Sequence, residues 1–296
     1  MKRAWSILKR AIREFIADDA MTLGGALAFF TALSLAPLLV IVLAVAGLLW
    51  QEGDVRAEIL RYVQNLVGSR GAEAVATVME EAGRQDFQGV AAVIGVVTLL
   101  FGATSGFAQL QYSLNRVWNV EIKPGEDVAD FLRKRLLSLG MILAIAFLLI
   151  VSLVIGATLS YVSGSARIDL PGGGRTWRLL NLGISLVVYT GIFTVIHKSL
   201  PDVKISWKDS LIGGLVTAGL FAIGKELLAW YLGRSTVTSP YGAAGSFFVV
   251  LIWVYYSSLI LFVGAEITQA LALELGHPIV PDRHARLVAP HPPPTG

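Results

Sequence analysis

The sequence predicts an all-α, polytopic membrane helix bundle with about six transmembrane helices, and three observations carry that prediction. First, the 296 residues are 55% hydrophobic and only 15% charged, with a mean hydropathy of +0.67. A soluble globule holds about 45–50% apolar and 25% charged residues, so this chain lacks the polar surface a globule needs. Second, six stretches are long and apolar enough to cross a bilayer, which takes roughly 17–25 residues at about 1.5 Å rise each. Third, Lys and Arg fall mostly on alternate connections, as in multi-pass proteins.

The six spans run approximately over residues 22–49, 89–110, 136–161, 180–196, 211–231 and 246–272. The third and sixth are nearly continuous Leu, Ile, Val, Ala and aromatic residues, whereas the second and fifth are rich in Gly, Ala, Ser and Thr. The first begins too late and runs too long for a cleaved signal peptide. Fifteen of the 24 Lys and Arg lie at the termini and on the second and fourth connections. Eight lie on the other connections, and Lys225 lies inside a span. Both termini are therefore expected on the cytoplasmic side, in agreement with an even number of spans.

Residues 1–18 form the first region. Trp5, Leu8, Ile12, Phe15 and Ile16 recur at helical spacing, and Lys2, Arg3, Lys9, Arg10 and Arg13 occupy the remaining face. This pattern predicts a basic amphipathic helix lying along the anionic cytoplasmic leaflet. Residues 19–272 form the transmembrane domain, interrupted by an outer loop at 51–88. There Val55, Ile59, Tyr62, Val63 and Leu66 share one helical face, and Gly68–Gly71 breaks the pattern before a second short helix. Residues 273–296 hold six of the eleven prolines and are expected to be a disordered cytoplasmic tail.

Reactive chemistry is sparse. There is no cysteine, which excludes disulfides, thiolate catalysis, iron–sulfur clusters and thiolate zinc sites. Histidines stand at 197, 277, 284 and 291, and none repeats at ligand spacing on a helix, so neither a metal nor another cofactor is expected. The glycine-rich run at 171–175 lacks the Lys-Ser/Thr of a phosphate cradle and reads as an outer turn. No serine sits in a nucleophile elbow, and no paired carboxylates share a helical face. A net charge of +3 is too small to argue for nucleic acid; the partners expected are the lipid bilayer and a lipid or small-molecule ligand.

Polar groups at membrane depth remain. Lys225 and Glu226 fall in the outer half of the fifth span, and Glu266 falls toward the cytoplasmic end of the sixth. A charge at such depth is costly unless it faces a cavity or a partner, so each is a candidate for a substrate or ion pathway. In the second span Thr98, Ser105 and Gln109 fall near one stripe that ends at Asn115 and Arg116. That stripe should face the bundle interior or an inward-opening cavity, with glue between helices as the alternative. Gly102 and Gly106 are spaced for close helix approach, and Gly24, Gly25 and Pro37 allow close packing and a kink or hinge. Small-residue faces at Gly102/Gly106 and Gly213/Gly214 would serve internal packing or a homo-oligomer.

The run Asp19-Ala-Met-Thr-Leu-Gly-Gly-Ala-Leu-Ala-Phe-Phe-Thr-Ala-Leu-Ser-Leu-Ala-Pro37-Leu resembles the opening signature of the YihY/BrkB-like family, bacterial inner-membrane proteins formerly labelled ribonuclease BN. The resemblance continues at Gly102-Ala-Thr, Leu114-Asn-Arg-Val-Trp118, Leu200-Pro-Asp202, Gly224-Lys225, Tyr231, Tyr241-Gly-Ala, Leu251-Ile-Trp-Val-Tyr-Tyr and Gly264-Ala-Glu266. In order, these cover essentially the whole membrane domain. The resemblance implies about six membrane helices in the bacterial inner membrane and an association with virulence, serum resistance and the cell envelope. It also implies a suspected transport role and a misassigned ribonuclease label, and it carries over no catalytic residue.

Three functions follow as expectations. The first is a transporter or flippase-like permease, in which carboxylates carry coupling protons and Lys225 holds an anionic substrate such as a lipid head group. The second is a non-transporting envelope scaffold whose charges only lock helices together. The third, a membrane-bound hydrolase, lacks its parts.

Overall fold

A computed structural model of the chain describes residues 2–47, 52–83, 90–123, 140, 174–234 and 245–289. Among these residues the protein is almost entirely helical. The elements in chain order are α1 (Lys2–Ala17), α2 (Ala20–Gly47), α3 (Glu52–Val67), α4 (Ser69–Gly83), α5 (Val90–Val117), β1 (Val120–Ile122), α6 (Gly174–Ser199), α7 (Trp207–Arg234), α8 (Gly245–Glu274) and β2 (Ala285–Leu287).

Three described helices are long and apolar enough to cross a membrane: Leu182–Ser199 of α6, Trp207–Leu228 of α7 and Phe247–Glu274 of α8. The segments Trp5–Ala17 and Ala20–Leu35 pass the same test together as a broken pair. The first and second expected spans overlap α2 and α5, each 28 residues and so about 42 Å long; α5 runs seven residues past the expected end. The expected third span, 136–161, lies outside the described residues apart from position 140.

Backbone geometry explains where helices stop. Gly68 (φ +89°) separates α3 from α4, and Gly276 (φ +76°) ends α8; both angles suit a residue without Cβ. At Gly276 the His277 amide donates to the Ala272 carbonyl at 2.9 Å and the Gly276 amide to Leu273 at 3.1 Å. This is the bonding of a left-handed C-terminal cap. Asp19 (φ +54°) divides α1 from α2, and Asn119 (φ +53°) follows α5. Ser206 caps the start of α7, its hydroxyl accepting the amides of Lys208 and Asp209.

The chain divides into two compact units. One holds residues 16–113 and 223–262. In it α3 and α4 pack on each other and on α2, so the loop expected to carry two helices does carry them. Their shared core is Leu39, Val75 and Met79, flanked by Leu35, Ile59, Leu60, Val63 and Val78. Arg56 of α3 pairs with Glu80 of α4 at 3.1 Å. The α2 and α5 helices meet at Gly106, whose amide donates to the Ser34 hydroxyl at 3.1 Å, with Ser105 Oγ 2.9 Å from Ser34 Oγ. A Cβ added at Gly24 would stand 3.0 Å from Leu259 of α8.

The other unit holds residues 1–15, 114–222 and 263–293. Its core includes Leu114, Val117, Trp118, Ile196, Leu200, Phe221 and Ala265, all buried. Tyr189 and Phe193 pack edge-on against Phe221, with ring centroids 5.2 and 5.6 Å away.

The C-terminal segment corrects the expectation of a disordered tail from residue 273 onward. α8 runs to Glu274, and β2 pairs antiparallel with β1 in the register Val120↔Leu287, Glu121↔Arg286 and Ile122↔Ala285. Val203 bridges Pro281, and Lys204 and Asp282 donate their amides to Val280 and Asp202 at 2.9 Å each. Proline-rich composition argues that a segment cannot build its own core. This one borrows two neighbouring connections for its main-chain partners and buries Ala285 against them (2% exposed). Four of the six tail prolines lie outside the described residues.

Candidate functional site

Polar side chains with almost no solvent access collect in the unit built from the ends of α5, α6, α7 and α8. They include Asn115, His197, Asp202, Thr217, Glu266, Thr268 and Gln269. Their placement follows from how three helices cross.

On α7, Gly213 and Thr217 are four residues apart; on α8, Gly264 and Thr268 repeat the spacing. The two pairs interlock. A Cβ at Gly213 would collide with the Thr268 side chain, and a Cβ at Gly264 would collide with Thr217. Gly214 likewise receives Thr194 of α6. Each threonine hydroxyl donates to the carbonyl of the glycine four residues earlier in its own helix, Thr217 to Gly213 at 2.8 Å and Thr268 to Gly264 at 2.7 Å. Small residues thus bring the backbones close, and the hydroxyls keep their protons satisfied within the helix.

His197 of α6 sits between these two threonines and is wholly buried. Its Nε2 lies 3.3 Å from Thr217 Oγ1 and its Nδ1 3.4 Å from Thr268 Oγ1. Both hydroxyl protons are committed to backbone carbonyls, so the oxygens facing the ring are acceptors. A neutral imidazole has one N–H and serves one threonine; an imidazolium serves both. On the same stretch of α8, Glu266 is fully buried, and the Gln269 amide donates to the Val117 carbonyl at the end of α5 at 2.6 Å.

Asn115 anchors a second group. Its Nδ2 donates to Asp202 Oδ2 at 2.7 Å, and its Oδ1 accepts the Asp202 amide, also at 2.7 Å. The asparagine therefore holds both the side chain and the backbone of the α6–α7 connection. Asp202 Oδ1 lies 2.8 Å from His284 Nε2 of the tail, and Asp282 joins the group. A parallel contact pairs His277 Nδ1 with buried Asp209 Oδ2 at 2.8 Å. Asp202, Asp282 and His284 are the described residues whose donor atoms suit a metal ion.

The sequence-selected residues separate in the structure. Asn115 and Glu266 are buried, and Arg116 is half-buried, in the unit just described. Ser105 and Gln109 belong to the other unit, where Ser105 joins α5 to α2 and Gln109 Nε2 donates to Ser113 at 3.4 Å. Lys225 and Glu226 also belong to that other unit and pair with each other at 3.5 Å; the Glu226 side chain is 76% exposed. Gly24 and Gly106 make close contacts, nothing lies within 4 Å of a Cβ at Gly25, and Gly102 is half-buried. Pro37 falls within the continuous α2 helix, and the side chains of Pro37 and Thr98 lie outside the described residues.

The sequence reading missed His197, Asp202, Thr217, Thr268, Asp282 and His284 as site residues. The repeated Gly-x-x-x-Thr of α7 and α8 was a usable signal for the helix crossing. The pairing of Asp202 with His284 was not legible, because 82 residues separate them.

Long apolar helices with ionisable side chains buried inside them define an integral membrane protein. The chain belongs to the virulence factor BrkB family, whose model matches residues 11–286. It is 29% identical to a UPF0761 membrane protein of Alkalilimnicola ehrlichii over 267 residues, which cover 87% of this chain and 56% of that one. It is 26% identical to a UPF0761 membrane protein of Psychromonas ingrahamii, over 86% of this chain and 83% of that one. It is also 23% identical to YfkH of Bacillus subtilis, which carries a ribonuclease-like label, over 90% and 95% of the two chains. The chain spans a little over half the length of the Alkalilimnicola relative and of another from Janthinobacterium. No solved structure matches it.

Proposed function

We propose that the protein is a transporter or flippase-like permease of the bacterial inner membrane, acting on an anionic, lipid-like substrate without covalent chemistry. The observation that carries this reading is the complete burial of His197 and Glu266 within apolar membrane helices. Ionisable groups buried in membrane helices are expensive, and their usual use is a substrate path or a proton relay. Glu266 and His197 are then the groups that exchange coupling protons, and Lys225 attracts the head group. The ribonuclease-like label of one relative is not carried over, and neither is any nucleic-acid partner.

The membrane arrangement proposed with it has six spans, the third within 136–161, and both termini in the cytoplasm. α1 lies on the inner leaflet through Trp5, Leu8, Ile12 and Ile16, which are all exposed. Support for the sidedness comes from main-chain pairing. The segment after α5, the α6–α7 connection and the tail bond to one another, so they share one end of their unit, as even-numbered connections and a terminus must. Reporter fusions after Gln51 and after Val120 are expected to read outside and inside respectively. The reverse pattern would invert the arrangement.

Flux is the direct test. The purified protein in proteoliposomes should speed the transbilayer movement of a fluorescent phosphatidylglycerol beyond that in empty vesicles. Glu266→Gln is expected to slow it roughly tenfold, a barrier increase of about 1.4 kcal/mol. Lys225→Ala should lower the preference for anionic over zwitterionic lipid. Rates equal to those of empty vesicles with every lipid offered would remove the transport reading.

A second reading, a non-transporting envelope scaffold, is favoured by two features: Ser34, Ser105 and Gly106 use their polar groups to join α2 to α5, and Lys225 pairs with its neighbour Glu226.

A further inference from the structure

The ordered C-terminal segment returns to the α6–α7 connection and carries Asp282 and His284 up to Asp202. Asp202, Asp282 and His284 each point one donor atom into a common space, and the three atoms lie within 4.8 Å of one another. We propose that these three side chains bind one divalent metal ion, of the manganese or zinc type, which fastens the C-terminal segment onto the membrane domain.

Two carboxylate oxygens and one imidazole nitrogen suit divalent ions of this class, which take such ligands at about 2.0–2.2 Å. Three atoms mutually within 4.8 Å need only a small side-chain adjustment to close on one ion at those lengths, and the 2.8 Å between Asp202 Oδ1 and His284 Nε2 brings two of them side by side. His284 keeps a 41% exposed side chain, which leaves the remaining coordination positions to water.

The ligands are preorganised. Asp202 is 6% exposed, and Asn115 fixes both its carboxylate and its amide, the outer-shell support that metal-ligating carboxylates use. Asp282 is set by its own amide bond to the Asp202 carbonyl at 2.9 Å, and His284 by its carbonyl, which accepts the Lys123 amide at 3.0 Å. The backbones that carry the three ligands are therefore held by bonds that do not depend on the ion.

With a neutral imidazole the three ligands carry two negative charges in a small space. Lys123 Nζ, bonded to the Arg283 carbonyl at 2.9 Å, offsets part of this from the periphery, and a divalent cation would offset it at the centre. The site stands whether or not the protein transports anything.

The test uses the full chain, purified in mild detergent through a tag without histidine, stripped with EDTA and titrated with MnCl2 and ZnCl2 by calorimetry. One ion per chain is expected. Asp282→Asn, which keeps the side chain's shape, and His284→Ala should each abolish binding while the circular dichroism stays that of wild type, since both residues are partly exposed. Asn115→Gln should weaken binding about tenfold or more through lost orientation of Asp202. His277→Ala, in the other ordered tail histidine, should leave it unchanged. In wild type the ion should also slow tryptic cleavage after Arg283 and Arg286. Binding no stronger than that of an Asp282→Asn/His284→Ala double variant would overturn the proposal and leave a tail held by main-chain bonds and the Asp202–His284 contact. A loss shared by His277→Ala would overturn it too, as non-specific histidine binding.

Discussion

Gly264→Val is expected to destabilise the protein by roughly 3 kcal/mol or more, at the upper end of what overpacking costs, because the obstacle is a helix rather than a free side chain. The added Cβ would overlap the Thr217 side chain, which cannot swing away without breaking its bond to the Gly213 carbonyl. Nor can α8 retreat cheaply, because Thr268 on the same helix is seated over Gly213 in the reciprocal half of the crossing. His197 would lose one of its two hydroxyl partners as the helices part. Thermal unfolding in detergent, followed by size-exclusion profile, reads the effect. Gly219→Ala is the matched control: it lies on α7 as well, but nothing stands within 4 Å of its added Cβ. It should change stability little or raise it slightly, since alanine favours helix over glycine by about 1 kcal/mol. Equal melting temperatures for the two variants would show that the crossing is looser than its interlocked threonines imply.

The second large effect is expected at Asn115. Asn115→Leu keeps most of the volume but removes the donor to Asp202 Oδ2 and the acceptor for the Asp202 amide, both at 2.7 Å and both buried. Leaving buried polar groups without partners costs about 1–3 kcal/mol each, and more when one is charged, so a total of roughly 3 kcal/mol is expected. Asp202→Asn should cost less, because it removes the charge that makes the loss expensive. In a double-mutant cycle the two changes should therefore couple strongly. The damage should also reach the tail, whose Asp282 amide bonds to the Asp202 carbonyl; faster tryptic cleavage after Arg286 reports this. Strict additivity of the two substitutions would mean that Asn115 acts on something other than Asp202.

Much of the fold was legible because bilayer solvation is a simple filter. Spans of apolar residues, the break at Gly68 and the two helices of the 52–83 loop all follow from local rules of hydrophobic period and backbone freedom. The candidate site was legible only in part. Glu266 stood out because a carboxylate in an apolar run is costly wherever the run goes. Lys225 and Glu226 stood out for the same reason, yet they pair locally and Glu226 is exposed. Sequence position gives depth along a helix but not which way the side chain faces.

The sequence by itself determined that this is a membrane protein, roughly where its described apolar helices lie, and which polar residues would be expensive to bury. The tertiary structure alone decided which of them meet. His197 finds Thr217 and Thr268 only because glycines on two helices let the backbones close. Asp202 meets Asn115 and His284 only because connections far apart in the chain pair their backbones. Local rules act through energies counted residue by residue, whereas these contacts depend on loop closure between distant segments, whose outcome no single stretch of sequence contains.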